Sequence, residues 1–318
     1  MLLSFLVDIL RAMKTRKVYP GEVHHVCQQT VDGVLVFYTA SDFLVYFTIV
    51  CTVAGRFGIR ILALCPMADH THLVVVASGE TELARFVQQY THLFSREWNK
   101  SRGRKGPLFK HRYMSSVKLG NKQARTTINY CNNNPVERKL VKEAQDYRWN
   151  FLHYARKAHP YSPGLNSSCL SKKLRDILRE ARRIRQGSGH LQYSQLERWR
   201  KCLDGVQMQF LFDSIIGLWN VIDYGEAISY YGNYDAMLRS FHDNTGSDYD
   251  IREDRSSYSD AVYADCTRIL LKEGHIGHPR EIPSLPLSLK KALADELRRR
   301  TTALPRQIAK YLHLGLGN

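Results

Sequence analysis

Two histidines stand one residue apart at the head of an apolar run, because His70 and His72 are followed by Leu-Val-Val-Val over residues 73–76. If this run is a β-strand, residues i and i+2 point to the same face, so the two imidazole rings lie side by side. Imidazoles are common ligands of divalent metal ions. The pair is therefore a candidate part of a metal site, although a purely structural pair has the same spacing.

A second polar cluster is Asn-Tyr-Cys-Asn-Asn-Asn-Pro-Val over residues 129–136. On a helix, Tyr130 and Asn134 are four residues apart and share a face. One hypothesis makes Tyr130 a nucleophile and Asn134 the third metal ligand. The alternative is that Tyr130 packs in the core and that the asparagines only accompany the end of the helix. Spacing alone leaves both open.

A strongly basic stretch lies between these two motifs. From residue 96 to residue 125 it holds ten basic residues and a single acidic one, Glu97, with Trp98, Phe109, His111 and Tyr113 interleaved. Basic residues bind a phosphate backbone and aromatic rings stack on bases, whereas a merely solvated surface usually mixes charge signs. We therefore predict that this stretch contacts nucleic acid. The predicted contacts are Arg96, Lys100, Arg102, Arg104, Lys105, Lys110, Arg112, Lys118, Lys122 and Arg125.

The composition supports a polyanionic partner. The 318 residues carry a formal net charge of +16, and residues 1–164 hold 23 Lys and Arg against 11 Asp and Glu, a net of +12. The remaining residues hold 23 against 19, a net of only +4. Seven dispersed cysteines without a Cys-x-x-Cys pair suggest reduced thiols in the cytoplasm. No run of 18 apolar residues occurs, so we expect no membrane span, and residues 1–11 are predicted as an amphipathic helix.

The elements that must position these residues follow from periodicity and turn signals. The predicted elements are a hairpin around residues 31–33, a helix from Ser41 to about Arg56, strands over 59–65 and 73–77, a helix from Thr81 to about Lys100, a strand over 108–117, and a helix from Gln123 that Pro135 ends. This order favours an α+β fold, with a small antiparallel sheet and helices on one face.

The second half of the chain has a different pattern. Residues 158–168 are rich in Pro, Gly and Ser and are predicted as a linker. The apolar spacing after it is mainly helical, with a polar, acidic and exposed segment predicted at 242–260. Residues 286–312 suggest two helices of a helix-turn-helix module, but a helical accessory domain that binds flanking DNA or another subunit is the preferred interpretation.

Three motifs together resemble a known family. His70-x-His72 on a strand, Tyr130-x-x-x-Asn134-Pro-Val on a downstream helix, and Asp-Tyr-Arg-Trp at 146–149 resemble the single-tyrosine HUH transposases, and within them the REP-associated tyrosine transposases. The resemblance covers roughly residues 15–155. There are two departures: Ala-Asp at 68–69 replaces the Pro-Asn that is usual in the family, and Cys131 replaces its usual Ile.

The resemblance implies a ferredoxin-like HUH domain, which we assign to residues 1–160. Residues 165–318 lie outside the resemblance, and their apolar spacing predicts a mainly helical accessory domain. The resemblance also implies that His70, His72 and Asn134 hold Mg²⁺ or Mn²⁺, and that Tyr130 attacks a DNA phosphate to form a 5′-phosphotyrosine link that is later rejoined without ATP. The implied partner is single-stranded or hairpin DNA, bound by a monomer or homodimer in the bacterial cytoplasm at the nucleoid. No membrane is involved.

Two alternatives stay open. The chain could be a non-enzymatic, hairpin-binding protein descended from a transposase. It could also be a replication initiator or relaxase, although these often carry a second catalytic tyrosine, and no tyrosine stands three or four residues after Tyr130.

Two further residues receive structural interpretations. His24 and His25 are adjacent, and adjacent strand residues face opposite ways, so neither is predicted as a ligand. Trp149 is predicted as a core anchor rather than a base-stacking platform.

Overall fold

The computed structural model describes residues 17–162, 170–245 and 259–315. The helix predicted for residues 1–11 lies outside these ranges. So do most of the predicted linker (163–169) and most of the predicted acidic segment (246–258).

A four-stranded antiparallel sheet with the order β2-β3-β1-β4 forms the centre of the first half. The strands are β1 (Val23–Gln29), β2 (Arg60–Pro66), β3 (His70–Val76) and β4 (Met114–Lys118). β3 is an inner strand that pairs with β1 on one side and with β2 on the other. The two histidines therefore lie on a strand that is hydrogen-bonded along both edges. This is the strand geometry that places residues i and i+2 on the same face.

Three long helices cover the two faces of this sheet. They are α1 (Ala40–Phe57), α2 (Glu80–Ser101) and α3 (Gly120–Glu137). α1 and α2 share a core cluster with Leu73 and Val75 of β3, whereas Ile128 and Cys131 of α3 join Val74 from the opposite face. The predicted α+β class is confirmed. α1 and α2 pack against one face of the sheet, as expected, whereas α3 packs against the other face. Because both faces are covered, every residue of β3 is buried.

Two local predictions are wrong. Residues 34–37 are buried but form no strand. The Val34 amide donates to Val31 O, and the amides of residues 35–37 donate to Lys310 O and Ala68 O instead of to a neighbouring strand. Pro135 does not end α3 but lies inside its last turns, and the helix continues to Glu137. The proline removes one backbone donor near the helix end, which α3 tolerates.

The second half is mainly helical, as predicted. Its helices are α4 (Lys172–Gln186), α5 (Tyr193–Arg200), α6 (Gly205–Trp219), α7 (Tyr224–Ser229), α8 (Tyr234–Asp243), α9 (Val262–Lys272), α10 (Leu287–Arg300) and α11 (Pro305–Leu312). α4 to α6 share the core cluster of α1, α8 joins that of α3, and α9 to α11 form a third cluster with Leu35. Both halves thus contribute to the same clusters, and the boundary at 160–165 stays a prediction.

By length and composition α1 is apolar enough to span a membrane, and 72% of this apolar helix is buried inside the protein. Its side chains pack against the sheet and α2, so it is the central core helix of the described fold. The six cysteines within the described residues are free thiols, in line with the redox state expected from their spacing.

Candidate metal centre and nucleophile

His70 and His72 point to the same face of β3, the face that α3 covers. Their ring centroids are 4.8 Å apart and the ring planes are nearly perpendicular, at 86°. His70 is 6% exposed and His72 is fully buried. The two imidazoles therefore form a compact pair, as the sequence predicts, in a largely desolvated position.

Asp69 orients the first of these rings. Its Oδ1 lies 2.6 Å from His70 Nδ1, and its Oδ2 accepts a hydrogen bond from Lys310 Nζ at 2.7 Å. Burial alone would raise the pKa of Asp69, but the hydrogen bonds and charges of His70 and Lys310 outweigh burial and hold that pKa well below its usual value. Lys310 thus compensates the charge that Asp69 introduces where the family usually has Asn.

His25 orients the second ring. Its Nε2 lies 3.0 Å from His72 Nδ1, and the two rings stack with centroids 5.2 Å apart. The sequence does not predict this contact, because the neighbourhood of His25 and His72 depends on the pairing of β1 with β3. His24 and His25 lie on opposite faces of β1, as predicted, and His24 bonds Glu22 O.

The orientation of both rings suits metal binding. Metal-ligating histidines usually use their second ring nitrogen for a carboxylate or another outer-shell partner. Here Nδ1 of His70 contacts Asp69 and Nδ1 of His72 contacts His25, so Nε2 is the atom that each ring would offer to a metal.

Tyr130 projects from α3 toward the same histidines. Its ring centroid is 5.3 Å from that of His72 and 5.6 Å from that of His25, and both contacts are edge-to-face. The residue is 3% exposed. The structure therefore brings together the histidine pair and the tyrosine that the sequence separates by 58 residues (positions 72 and 130).

Asn134 lies one helical turn after Tyr130 and is buried. Its Nδ2 donates to the carbonyl oxygen of Tyr130 at 2.9 Å. An amide binds a cation through its oxygen. The hydrogen bond to Tyr130 uses the nitrogen of the Asn134 amide, not the oxygen that a metal would bind. No group of three or more His, Cys, Asp and Glu side chains suited to a metal exists among the described residues.

Other asparagines of α3 attach the second half of the chain. Asn133 Nδ2 donates to Phe241 O at 2.8 Å, and Asn129 Nδ2 donates to Ser240 Oγ at 3.0 Å. Both acceptors belong to α8. The asparagine run therefore contributes a helix–helix contact in addition to any role of Asn134.

The predicted DNA-contacting residues mostly lie on the surface. Seven of them are exposed: Arg96, Lys100, Lys105, Lys110, Arg112, Lys122 and Arg125. Arg104 and Lys118 are half-buried. They form two groups in the chain, one at the end of α2 and in the loop after it, the other flanking the edge strand β4 and the first turns of α3. Lys122 and Arg125 of the second group lie on the same helix as Tyr130.

Arg102 is the exception, because it is buried, which does not favour its predicted role as a DNA contact. Its guanidinium is buried, lies 2.5 Å from Asp42 Oδ1, and stacks over the ring of Trp98 at 4.2 Å. Asp42 also accepts a hydrogen bond from Tyr193 of α5 at 2.7 Å. Burial alone would lower the pKa of Arg102, but the Asp42 charge outweighs burial and raises that pKa above its normal value. The ion pair therefore has a structural role.

Comparisons with known proteins agree with the motifs. The sequence model of a family described as "Transposase IS200 like" matches residues 36–134, a segment that contains His70, His72, Tyr130 and Asn134. No curated protein matches the chain. A solved structure of a REP-associated tyrosine transposase bound to a REP hairpin is 16% identical and covers 45% of this chain and 84% of its own, with a TM-score of 0.39. At that TM-score the likeness carries no argument. Residues 36–134 are thus similar to the IS200-like transposases, in line with the resemblance of the histidine and tyrosine motifs.

Proposed function

We propose that this protein is a metal-dependent transposase that cleaves and rejoins single-stranded DNA through Tyr130. The observation that carries the proposal is the packing of Tyr130 against His72, next to His70, inside a segment related to transposases. A nucleophile beside a pair of oriented imidazoles is the arrangement that phosphoryl transfer to a hydroxyl needs.

In the proposed reaction the Tyr130 hydroxyl attacks the phosphorus of a DNA phosphate. The phenol loses its proton, the bond from phosphorus to the 3′-oxygen breaks, and that oxygen gains a proton as a free 3′-hydroxyl. A 5′-phosphotyrosine link remains, and attack by a 3′-hydroxyl reverses the step. Because one phosphate ester replaces another, the exchange needs no ATP.

His70, His72 and Asn134 would hold Mg²⁺ or Mn²⁺. When bound, the ion supplies charge stabilisation for the phosphate oxygens. Two imidazoles and an amide oxygen leave coordination positions for such oxygens. Asp69 and His25 keep the two rings in place through their Nδ1 atoms, and Lys310 fixes Asp69. In this proposal α11 of the second half supports the catalytic site directly.

The exposed basic residues around β4 and the start of α3 would hold the DNA backbone. Lys122 and Arg125 share α3 with Tyr130, so a strand bound along them leads toward the nucleophile. The proposed partner is single-stranded or hairpin DNA, met by a monomer or homodimer at the bacterial nucleoid.

The burial of the site favours a second candidate, a hairpin-binding protein without catalysis. Tyr130 is 3% exposed and His72 is fully buried, so a phosphate reaches the hydroxyl only if the site opens. A relative that binds DNA but no longer cleaves it would not need that opening.

One experiment separates the two candidates. The full chain is incubated with end-labelled hairpin oligonucleotides that carry single-stranded flanks, with Mn²⁺ or with EDTA, and resolved on a denaturing gel. The transposase proposal expects a Mn²⁺-dependent covalent band at the mass of protein plus DNA fragment. Tight binding on a native gel without any such band would favour the non-enzymatic candidate.

A further inference from the structure

A cavity of about 610 Å³ lies beside the candidate site, between the two halves of the chain. Its walls come from the turn before β3 (Ala68), the segment after α3 (Trp149), the start of α9 (Tyr263) and the residue Asp260. Cavities of this size, lined mainly by aromatic and apolar side chains with a few polar groups, are typical of small-ligand sites.

Flat aromatic surfaces line two parts of the cavity. On one, Phe43 and Trp149 stack with centroids 4.5 Å apart and planes 5° apart. On the other, Tyr263 and Tyr311 lie nearly parallel, with 7° between their planes. Trp149 and Tyr263 are only half-buried. Such rings bind planar aromatic groups by stacking.

The polar groups of the cavity are few and unequal. The phenol of Tyr38 donates to Tyr311 O at 2.7 Å, and that of Tyr147 donates to Pro66 O at 2.9 Å, so both serve the fold. Asp260 is 6% exposed, and burial, followed by the nearby charge of Asp69, raises its pKa to about 6. A carboxyl group accepts hydrogen bonds from an exocyclic amine and, when protonated, also donates one.

The cavity is continuous with the elements of the candidate site. Ala68 precedes the metal-site residue His70 by two positions. The backbone N–H of Asp260 donates to the carbonyl oxygen of Arg138 at 3.1 Å. Arg138 directly follows α3, the helix that carries Tyr130. The wall residues Ala68 and Asp260 therefore adjoin segments that carry the candidate site.

We propose that the cavity holds one unpaired nucleobase of the DNA strand whose phosphate lies at Tyr130, stacked on Trp149 or Tyr263 with its edge toward Asp260. The proposal rests on the proposed function for the choice of ligand. It assigns to the second half of the chain a part in reading single-stranded DNA, because Asp260 and Tyr263 lie outside the family segment.

Trp149 provides a direct probe. The other tryptophans, Trp98, Trp199 and Trp219, are at most 1% exposed, whereas Trp149 is half-buried and lines the cavity. The full chain is labelled with 5-fluorotryptophan, the Trp149 signal is assigned with Trp149→Phe, and ¹⁹F spectra are recorded during titration with each of the four deoxynucleoside monophosphates. Deoxyribose 5-phosphate is the base-free control.

We expect at least one nucleotide to shift the Trp149 signal saturably while the base-free sugar phosphate does not. Tyr263→Ala should raise the apparent Kd about tenfold. Ala264→Phe, which fills the cavity from an exposed wall residue without removing packing, should abolish the shift, and Tyr19→Ala, an exposed aromatic outside the cavity, should leave it unchanged.

The proposal is overturned if no nucleotide moves the Trp149 signal, if the sugar phosphate moves it equally, or if Ala264→Phe has no effect. These outcomes are independent of covalent adduct formation. A chain that forms the adduct but shows no nucleotide shift would refute the base pocket and leave the transposase proposal intact.

Discussion

Lys310 and Asp69 form an ion pair with Nζ and Oδ2 2.7 Å apart, although 241 positions separate them in sequence. The other oxygen of Asp69 contacts His70, so α11 reaches the candidate metal site through a single carboxylate. α11 is also attached by its own backbone, since Leu35 N donates to Lys310 O. The second half of the chain is thereby part of the support of the site.

Removal of the Lys310 charge should therefore weaken metal binding. In Lys310→Met, Asp69 loses its cationic partner and His70 its fixed orientation, and we expect the affinity for Mn²⁺ to fall about tenfold, as for other outer-shell variants. Isothermal titration of the full chain with Mn²⁺ measures this. Lys310→Arg keeps the charge and should retain most of the affinity, while the double variant Asp69→Asn, Lys310→Met should bind better than Lys310→Met alone. An unchanged affinity in Lys310→Met would refute the support role.

Substitution of His25 should also weaken metal binding, because His25 orients the ring of His72. His25→Phe keeps a ring against His72 but removes the Nε2 contact, so we expect a loss of Mn²⁺ affinity of about 10- to 100-fold. His24→Gln is the matched control, because His24 lies on the opposite face of β1 and contacts Glu22 O. Equal Mn²⁺ affinities of the two variants would contradict the assignment of His25.

The exposed basic residues should contribute to DNA binding, whereas Arg102 should not. Lys122→Gln and Arg125→Gln should each reduce the slope of log K against log salt by about 0.7 for single-stranded DNA, with an unchanged melting temperature. Fluorescence anisotropy over a salt series measures the slope.

Arg102→Met is the contrasting variant. It leaves Asp42 buried without its ion partner, so we expect a loss of about 3–5 kcal/mol in the free energy of unfolding and no change in the salt slope of DNA binding. A reduced slope at normal stability would restore Arg102 as a DNA contact.

Asp260 makes the stability of the fold depend on pH. Its folded-state pKa of about 6 lies above the usual value of 3.8, so the folded chain binds more protons than the unfolded chain between these values and loses stability as pH rises through 6. Asp260→Asn should be more stable than the parent by roughly 3 kcal/mol at pH 7.5 and equal to it below pH 4. Urea unfolding at both pH values tests this. The expectation fails if the stability difference is the same at both.

Local patterns predict most of the elements that carry the site. The alternation at His70 and His72 and the four-residue spacing of Tyr130 and Asn134 depend only on strand and helix periods, which the sequence displays. Apolar spacing predicts α1 and α2 in the same way, although their N-caps are Thr39 and Gly79, so both helices begin one residue before the predicted Ser41 and Thr81.

Tertiary contacts account for what the sequence could not predict. His25 joins the site through strand pairing, and Lys310 joins it through the docking of a distant helix, so no spacing rule marks either residue. Arg102 sits in a basic run like its neighbours, and only the buried Asp42 distinguishes it. Residues 34–37 have the apolar content of a strand, but the backbone amides of 35–37 donate to Ala68 and Lys310.

The most direct test of the central claim is the covalent link between Tyr130 and DNA. The full chain is incubated with a hairpin oligonucleotide and Mn²⁺, digested with protease, and the DNA-linked peptide is sequenced by mass spectrometry, in parallel with Tyr130→Phe and with Tyr90→Phe, a buried tyrosine on the other face of the sheet. We expect the peptide to carry a phosphorylated nucleotide on Tyr130, with the adduct lost in Tyr130→Phe and kept in Tyr90→Phe, while both variants bind the hairpin. An adduct that persists in Tyr130→Phe, or that maps to another residue, would contradict the claim.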